Sequence, residues 1–168
     1  MAKKPKSAGR EKLLFNKLKQ FDEPGLFHDN YQTPDYIQAN LKDILRPYQH
    51  SALRYLHYTQ RKRDDALLHY RHLLFHMATG AGKTMVMAGT ILYLFKEFGY
   101  QNFIFFVHTD AIIQKTRENL LNPQSPKYLF SHELEIDGEK ITIAPVDIFP
   151  SVPERNTIYL KLSTIHKM

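Results

Sequence analysis

Met77-Ala78-Thr79-Gly80-Ala81-Gly82-Lys83-Thr84 is the stretch whose reading decides the fold. An apolar run, His72-Leu73-Leu74-Phe75-His76, precedes it, and an apolar-periodic segment ending at Phe98-Gly99 follows. Strand, glycine-bearing loop and helix in that order are the context that a phosphate-binding loop requires. Gly80 and Gly82 allow a tight turn that brings backbone N–H groups around phosphate oxygens with no Cβ in the way. Lys83 would set its charge on the β- and γ-phosphates, and the Thr84 hydroxyl would join the shell of a Mg²⁺ ion. The positive end of the helix beginning here adds to the anion site. One departure stands out: the usual pattern opens with Gly or Ala, and this chain has Met77.

Outward from the loop, the downstream sequence predicts an α/β sheet. Asn102 to His108 contains the continuous apolar run Phe103-Ile104-Phe105-Phe106-Val107, the pattern of a parallel strand buried on both faces. With 72–77 as the first strand, the two strands and the intervening helix predict a right-handed βαβ unit. Thr109-Asp110 suits the cap of a helix over Ala111 to Leu121, halted by Asn122-Pro123. Leu134-Glu135-Ile136 and Lys140-Ile141-Thr142-Ile143 alternate around Asp137-Gly138, a residue pair favoured by type I′ hairpin turns. Pro145, Pro150 and Pro153 mark a long surface connection, and Thr157 to Leu162 reads as a further strand ending at Ser163-Thr164.

Upstream, Met1 to Lys6 reads as a basic tail. Ala8 to Phe21 reads as an amphipathic basic helix, with Leu14, Leu18 and Phe21 at helical spacing. Asp22 to Asn30 is a turn-rich connector around Pro24-Gly25. Thr33-Pro34 opens a short helix through Leu41, and Pro47 starts another with Ala52, Leu53 and Leu56 as its apolar stripe. A charged stretch between Tyr58 and Arg71 reads as a solvated face or a turn. His69, His72 and His76 have helical spacing, but the strand expected at 72–77 would keep them from converging on a metal.

The 168 residues carry a net charge of +6 and a sequence pI near 9.4, a balance that favours a polyanionic partner. The chain has no Cys, so disulfide frameworks and thiolate metal sites are excluded, in keeping with a cytoplasmic setting. No apolar run reaches the ~18 residues of a membrane helix, and the basic N-terminus lacks the apolar core of a signal peptide.

Gln49 lies 34 residues before Lys83, just after Arg46-Pro47-Tyr48. Its amide has the groups to accept from adenine N6 and donate to N7, with Arg46 or Tyr48 against a base face. The alternative is an exposed helix residue with no such role. Thr109-Asp110 and Ser163-Thr164 bring hydroxyls and helix-start N–H donors to strand ends, where parallel sheets bind ligands and phosphates are held.

Four groups of residues together resemble superfamily 2 helicases, most nearly the restriction (Res) subunit of type III restriction enzymes, with type I motor subunits as near relatives. They are Leu45 to Gln49; Met77 to Thr84; Phe105-Phe106-Val107 with Ile112 to Thr116; and Ser163-Thr164-Ile165-His166. A phosphate loop opening with Met is common in that group. The resemblance runs from about Leu45 to the end. It implies an incomplete first RecA-like motor domain over 45–168, with a hairpin insertion at about 131–145 and a helical extension over 1–44. It further implies ATP and Mg²⁺ held by Gln49, Arg46, Thr79, Gly80, Ala81, Gly82, Lys83 and Thr84, with Gln49 as the adenine reader. Thr109, Asp110, Lys115, Ser163 and Thr164 would meet double-stranded DNA, and a methyltransferase (modification) subunit would be the partner. After the phosphate loop there is no apolar strand ending in an Asp-Glu pair to hold Mg²⁺ and position water. The acidic motif is therefore expected beyond Met168, and this stretch alone is expected to bind nucleotide and hydrolyse little of it. A P-loop kinase or other NTPase acting without nucleic acid, and a non-catalytic nucleotide- or DNA-binding module, are the competing readings.

Overall fold

The computed structural model describes Asn16, Leu18, residues 31–61 and residues 72–164. The basic tail, most of the expected helix over Ala8 to Phe21, the connector over Asp22 to Asn30, residues 62–71 of the charged stretch including His69, and Ile165-His166 lie outside the described residues. Within that helix, Asn16 and Leu18 are helical.

Two compact units account for the described residues, one comprising Asn16, Leu18 and residues 31–32, 54–61 and 72–74, the other 33–53 and 75–164. In the smaller, Leu18 and Tyr58 are buried, with Tyr31 and Tyr55 packed against them. The Tyr31 ring stacks on His57 at a centroid separation of 4.2 Å.

The larger unit is built on a four-stranded sheet. Its strands are β1 (Asn102–Val107), β2 (Leu134–Ile136), β3 (Glu139–Pro145) and β4 (Thr157–Thr164), in the order β1-β4-β3-β2. β4 is the centre, pairing in parallel with β1 from Asn102↔Tyr159 to Val107↔Thr164 and with β3 from Thr142↔Thr157 to Pro145↔Leu160. Thr157, Ile158, Tyr159 and Leu160 are buried in succession, so both faces of the strand are covered there. The helices are α1 (Asp35–Ala39), α2 (Pro47–Arg61, divided between the units), α3 (Lys83–Phe98) and α4 (Asp110–Leu120). This is the expected α/β architecture of a parallel sheet with flanking helices.

Local chemistry sets most boundaries. α2 starts on Pro47, whose missing N–H costs nothing in a first helical turn. α3 ends at Gly99 in the left-handed region (φ 68°), where the Gly99 and Tyr100 N–H groups reach back to Phe95 and Leu94. The Thr109 hydroxyl caps α4 by accepting from Ile112 N–H. Asp137 (φ 56°) and Gly138 (φ 78°) both adopt positive φ, as a type I′ turn demands, and register Leu134 opposite Ile141. The hairpin is joined to the main sheet because β3 continues past it along β4. Lys96, in the last turn of α3, pairs with Asp137 at the turn.

Three expectations are corrected. Residues 72–77 form no strand: a strand needs a hydrogen-bonded neighbour, and among the described residues this segment is in no strand pairing. The expected βαβ unit therefore lacks its first strand, and the parallel crossover runs from β1 through α4 and the hairpin to β4. β1 is not buried on both faces: exposed Ile104 and Phe106 alternate with half-buried Phe103, Phe105 and Val107, so the face carrying the exposed pair is left uncovered. Finally, α1 begins at Asp35 with Pro34 as its cap residue, and the Thr33 hydroxyl bonds His50 Nδ1 at 2.7 Å instead of capping the helix.

A buried Asn ties the N-terminal segment to the hairpin. Asn40, 2% exposed, accepts from Glu135 N–H (2.8 Å) and donates to the Glu135 carbonyl (2.7 Å), presenting to β2 the donor and acceptor that a strand residue would. The same amide donates to the Tyr36 carbonyl, while Leu41 bridges Phe130 and Lys42 N–H reaches the Leu129 carbonyl. Replacing Asn40 by Ala strands these buried backbone groups, and a loss of about 2–3 kcal/mol is expected in denaturant unfolding. Asn40→Asp, which keeps the acceptor and loses the donors, should fall between wild type and Asn40→Ala.

Candidate nucleotide site

The phosphate loop folds from two left-handed glycines, Gly80 (φ 78°) and Gly82 (φ 73°). Ala81 N–H closes a turn on the Ala78 carbonyl at 3.2 Å. Gly82 is the N-cap of α3, and its carbonyl accepts from Met85 and Val86 N–H. The leading N–H groups of an α-helix have no acceptor within the helix, so this helix start has N–H donors available to an anion. Lys83 and Thr84 occupy the first two helical positions.

The Lys83 ammonium donates to the carbonyls of Ala78 (3.0 Å) and Met77 (3.3 Å). An ammonium has three donors, so the side chain bends over its own loop with one still available. Thr79, Gly80, Gly82 and Lys83 are exposed, while Ala81 and Thr84 are half-buried. Behind the loop, Met85, Val86, Ala88, Ile91 and Leu92 anchor α3 in the core. Gly89 sits so close to its neighbours that a Cβ there would lie 3.3 Å from Leu53 and 3.4 Å from Ile37.

Gln49 is brought to the loop, and it is buried at 4% exposure. Its Oε1 accepts from Arg46 N–H at 2.8 Å, and its Nε2 donates to the carbonyls of Ala81 (3.1 Å) and Gly82 (3.4 Å). With Pro47 as the first helical residue, Arg46 is the N-cap and Gln49 the third position, so the bond to Arg46 is half of a capping box. Gln38 holds the approach to this turn by accepting from Leu45 N–H and donating to the Asp43 carbonyl. Arg46 and Tyr48 are exposed beside it, the guanidinium donating to the Tyr48 hydroxyl at 3.3 Å. Sequence spacing does not reveal that Gln49 meets the loop, although Pro at the first helical position and Gln at the third signal its capping bond.

The residues expected to meet DNA fall at one end of the sheet. Thr109 and Asp110 open α4 immediately after β1, whose end pairs with Ser163 and Thr164 of β4. Thr109, Asp110 and Lys115 are exposed, and Ser163 is half-buried. Thr164 is 5% exposed and lies inside the strand. Among the described residues no group of three or more His, Cys, Asp or Glu is placed to hold a metal ion, and no helix is long and apolar enough to cross a membrane.

Residues 42–168 match the family model of the type III restriction enzyme, res subunit. The chain belongs to that family. It is 35% identical over 176 aligned positions to the probable type III restriction-modification enzyme HindVIP Res subunit of Haemophilus influenzae. The match covers 99% of the chain and 33% of that relative, so the chain spans about a third of the relative's length. No solved structure matches. The family assignment agrees with the resemblance carried by the phosphate loop, the Gln49 segment and the strand ends, and the chain is a helicase-like Res module.

Gly82 supplies a direct check of the loop geometry. A Cβ at this position would lie 2.5 Å from Gln49 Nε2, and the φ of 73° disfavours any L side chain. Gly82→Ala is therefore expected to lose about 1–3 kcal/mol of stability, measured by thermal unfolding. Gly80→Ala, where nothing lies within 4 Å of the added carbon, should be the milder change.

Proposed function

We propose that the chain is the ATP-binding portion of an ATP-dependent DNA translocase motor in a type III restriction endonuclease. The observation carrying this reading is the two-glycine turn at the start of α3, with Lys83 and Thr84 in the first helical turn and Gln49 packed behind it. Backbone N–H groups and the Lys83 ammonium bind the triphosphate, and the Thr84 hydroxyl is available to Mg²⁺. The bound metal would neutralise charge shared by the β- and γ-phosphates. Arg46, exposed beside the loop, supplies a cation and a flat surface for a base, and Thr79 and Ala81 complete the turn.

At the sheet end, Thr109, Asp110, Lys115, Ser163 and Thr164 form the DNA-facing group. The Thr109 and Ser163 hydroxyls, the α4 N-terminus and the Lys115 charge are the parts suited to backbone phosphates, and buried Thr164 acts by holding the strand end. Such contacts grip DNA without reading sequence, which leaves site recognition to a modification subunit. The family relationship and the chain's positive charge support DNA and that subunit as partners, and a restriction system acting on DNA would work in the cytoplasm. The chain has no Asp-Glu pair after Thr84, so hydrolysis is assigned to the complete Res subunit and binding to this part.

Two measurements test the reading. Lys83→Ala is expected to reduce Mg·ATP affinity at least about tenfold, the scale of one charge-assisted hydrogen bond to a phosphate; unchanged affinity would refute the assignment. Titration of a fluorescent duplex should show affinity falling about 40-fold between roughly 50 and 200 mM salt if about three phosphates are contacted. ATP binding with no duplex binding at low salt would favour an NTPase that acts without nucleic acid.

A further inference from the structure

We infer that the uncovered face of β1 and β4 is a docking surface within the complete Res subunit, and that it takes an apolar segment of the same polypeptide bearing a carboxylate. Side chains alternate along a strand, so register partners on adjacent parallel strands share a face. Ile104 therefore lies beside Lys161, and Phe106 beside Ser163. Two residues back along β4, Tyr159 shares this face and is buried. The crossover 146–156 lies against it there: Glu154 N–H donates to the Tyr159 hydroxyl at 2.8 Å, and Gln101 Nε2 donates to the Glu154 carbonyl at 2.7 Å. Further along, Ile104 is 47% exposed and Phe106 51%. A parallel sheet is normally covered on both faces by helices. Here, among the described residues, the crossover covers this face only at its Thr157–Tyr159 end.

Charge and area decide what fits. Lys161 is half-buried beside Ile104, and its ammonium has no hydrogen-bond or ion-pair partner among the described residues. A partly desolvated cation is unfavourable without an anion, so the occupant brings a carboxylate to it and sets apolar carbons on Ile104 and Phe106. Half of two large apolar side chains is on the order of 200 Å², whereas each partner in a stable complex of separate molecules buries about 600–1,000 Å². The patch is too small to hold a second copy of the chain or any other free partner. It is large enough for a segment of the same polypeptide, because a tether removes most of the entropic cost of association. The matched relative has chain to supply one, since the match covers 33% of it and leaves about two-thirds outside. DNA fits less well: its phosphates suit Lys161 and Ser163 but leave Ile104 and Phe106 in water. Ser163, at the margin, is the residue this surface shares with the proposed DNA-facing group.

The 168-residue chain has no Cys, so an introduced thiol reports on one position. Ile104→Cys and Phe106→Cys are made in this chain, and in a chimera where the chain replaces the matching third of the Haemophilus influenzae Res subunit. Maleimide labelling is followed at the substituted position by peptide mass spectrometry. Both thiols are expected to react readily in the isolated chain and at least about tenfold more slowly in the chimera. Ile148→Cys, at a residue 85% exposed on the crossover, should react alike in both. Adding Lys161→Glu should speed labelling at 104 in the chimera and leave it unchanged in the isolated chain; no effect in the chimera would overturn the carboxylate assignment. Equal rates at 104 and 106 in chain and chimera would overturn the docking surface. Protection that grows with the concentration of the isolated chain would make the occupant a second copy, and protection that appears only with duplex DNA would make it nucleic acid; either result refutes the proposal. If the chimera shows no cooperative thermal transition, the Haemophilus influenzae subunit is labelled at the aligned positions. Slow labelling there relative to the denatured subunit supports the proposal, and equal labelling refutes it.

Discussion

Buried backbone must be hydrogen-bonded, and β4 is where this chain meets that demand for the parallel part of the sheet. Four consecutive residues, Thr157 to Leu160, are buried, and the strand has a parallel neighbour on each edge. Leaving even one of those N–H or C=O groups unpaired in the interior would cost about 1–3 kcal/mol. β1 and the far part of β3 are therefore held in register by the same strand. Around the hairpin the chain answers the same demand with a side chain. Asn40 stands in for a strand residue opposite Glu135, so an isolated carboxamide fixes the N-terminal segment where no ladder could run.

That constraint also explains which parts of the fold were legible in the sequence. Elements specified locally came through closely: the type I′ turn at Asp137-Gly138, the Gly99 stop, the Thr109 cap and the start at Pro47 each follow from the φ or side chain of one or two residues. Elements specified by neighbours did not. His72 to Met77 and Phe103 to Val107 look alike as apolar runs, but apolarity says nothing about which edge a strand will find. β1 has a neighbour on one side and is half-exposed; residues 72–77 have none among the four strands and are not a strand. Ser163 and Thr164, expected at the end of a strand, are its last ladder pairs, which buries Thr164.

At the candidate site, the two glycines were legible because backbone conformation demands them. Gly80 and Gly82 occupy a region of φ that other residues reach with strain, and Lys83 and Thr84 follow at the helix start. Gln49 was legible as a candidate and not as a neighbour of the loop. Its amide could serve a base, a helix cap or a carbonyl equally well, and spacing along the chain carries no information about which of these lies nearest in space. Only the approach of the α2 start to the loop settles that the amide lies against Ala81 and Gly82. Asn40 is a parallel case, since a lone Asn before Leu41 gives no sign that it will be buried opposite a residue 95 positions away.

The loop is consequently held from two directions by groups of opposite kind. Gln49 donates to the Ala81 and Gly82 carbonyls from behind the turn, and Lys83 donates to Met77 and Ala78 across it. These bonds differ in what an arriving anion does to them. Gln49 is neutral and buried, and its hydrogen bonds tie the turn to the first turn of α2 in the absence of any anion. Lys83 is charged and exposed, and a phosphate oxygen is a stronger acceptor for it than a neutral carbonyl. The cation is thus the part of the loop free to exchange partners while the backbone stays fixed. A loop with two flexible glycines is thus held both by its own backbone, through the Ala81 turn and the Gly82 carbonyl at the start of α3, and by a side chain from another helix.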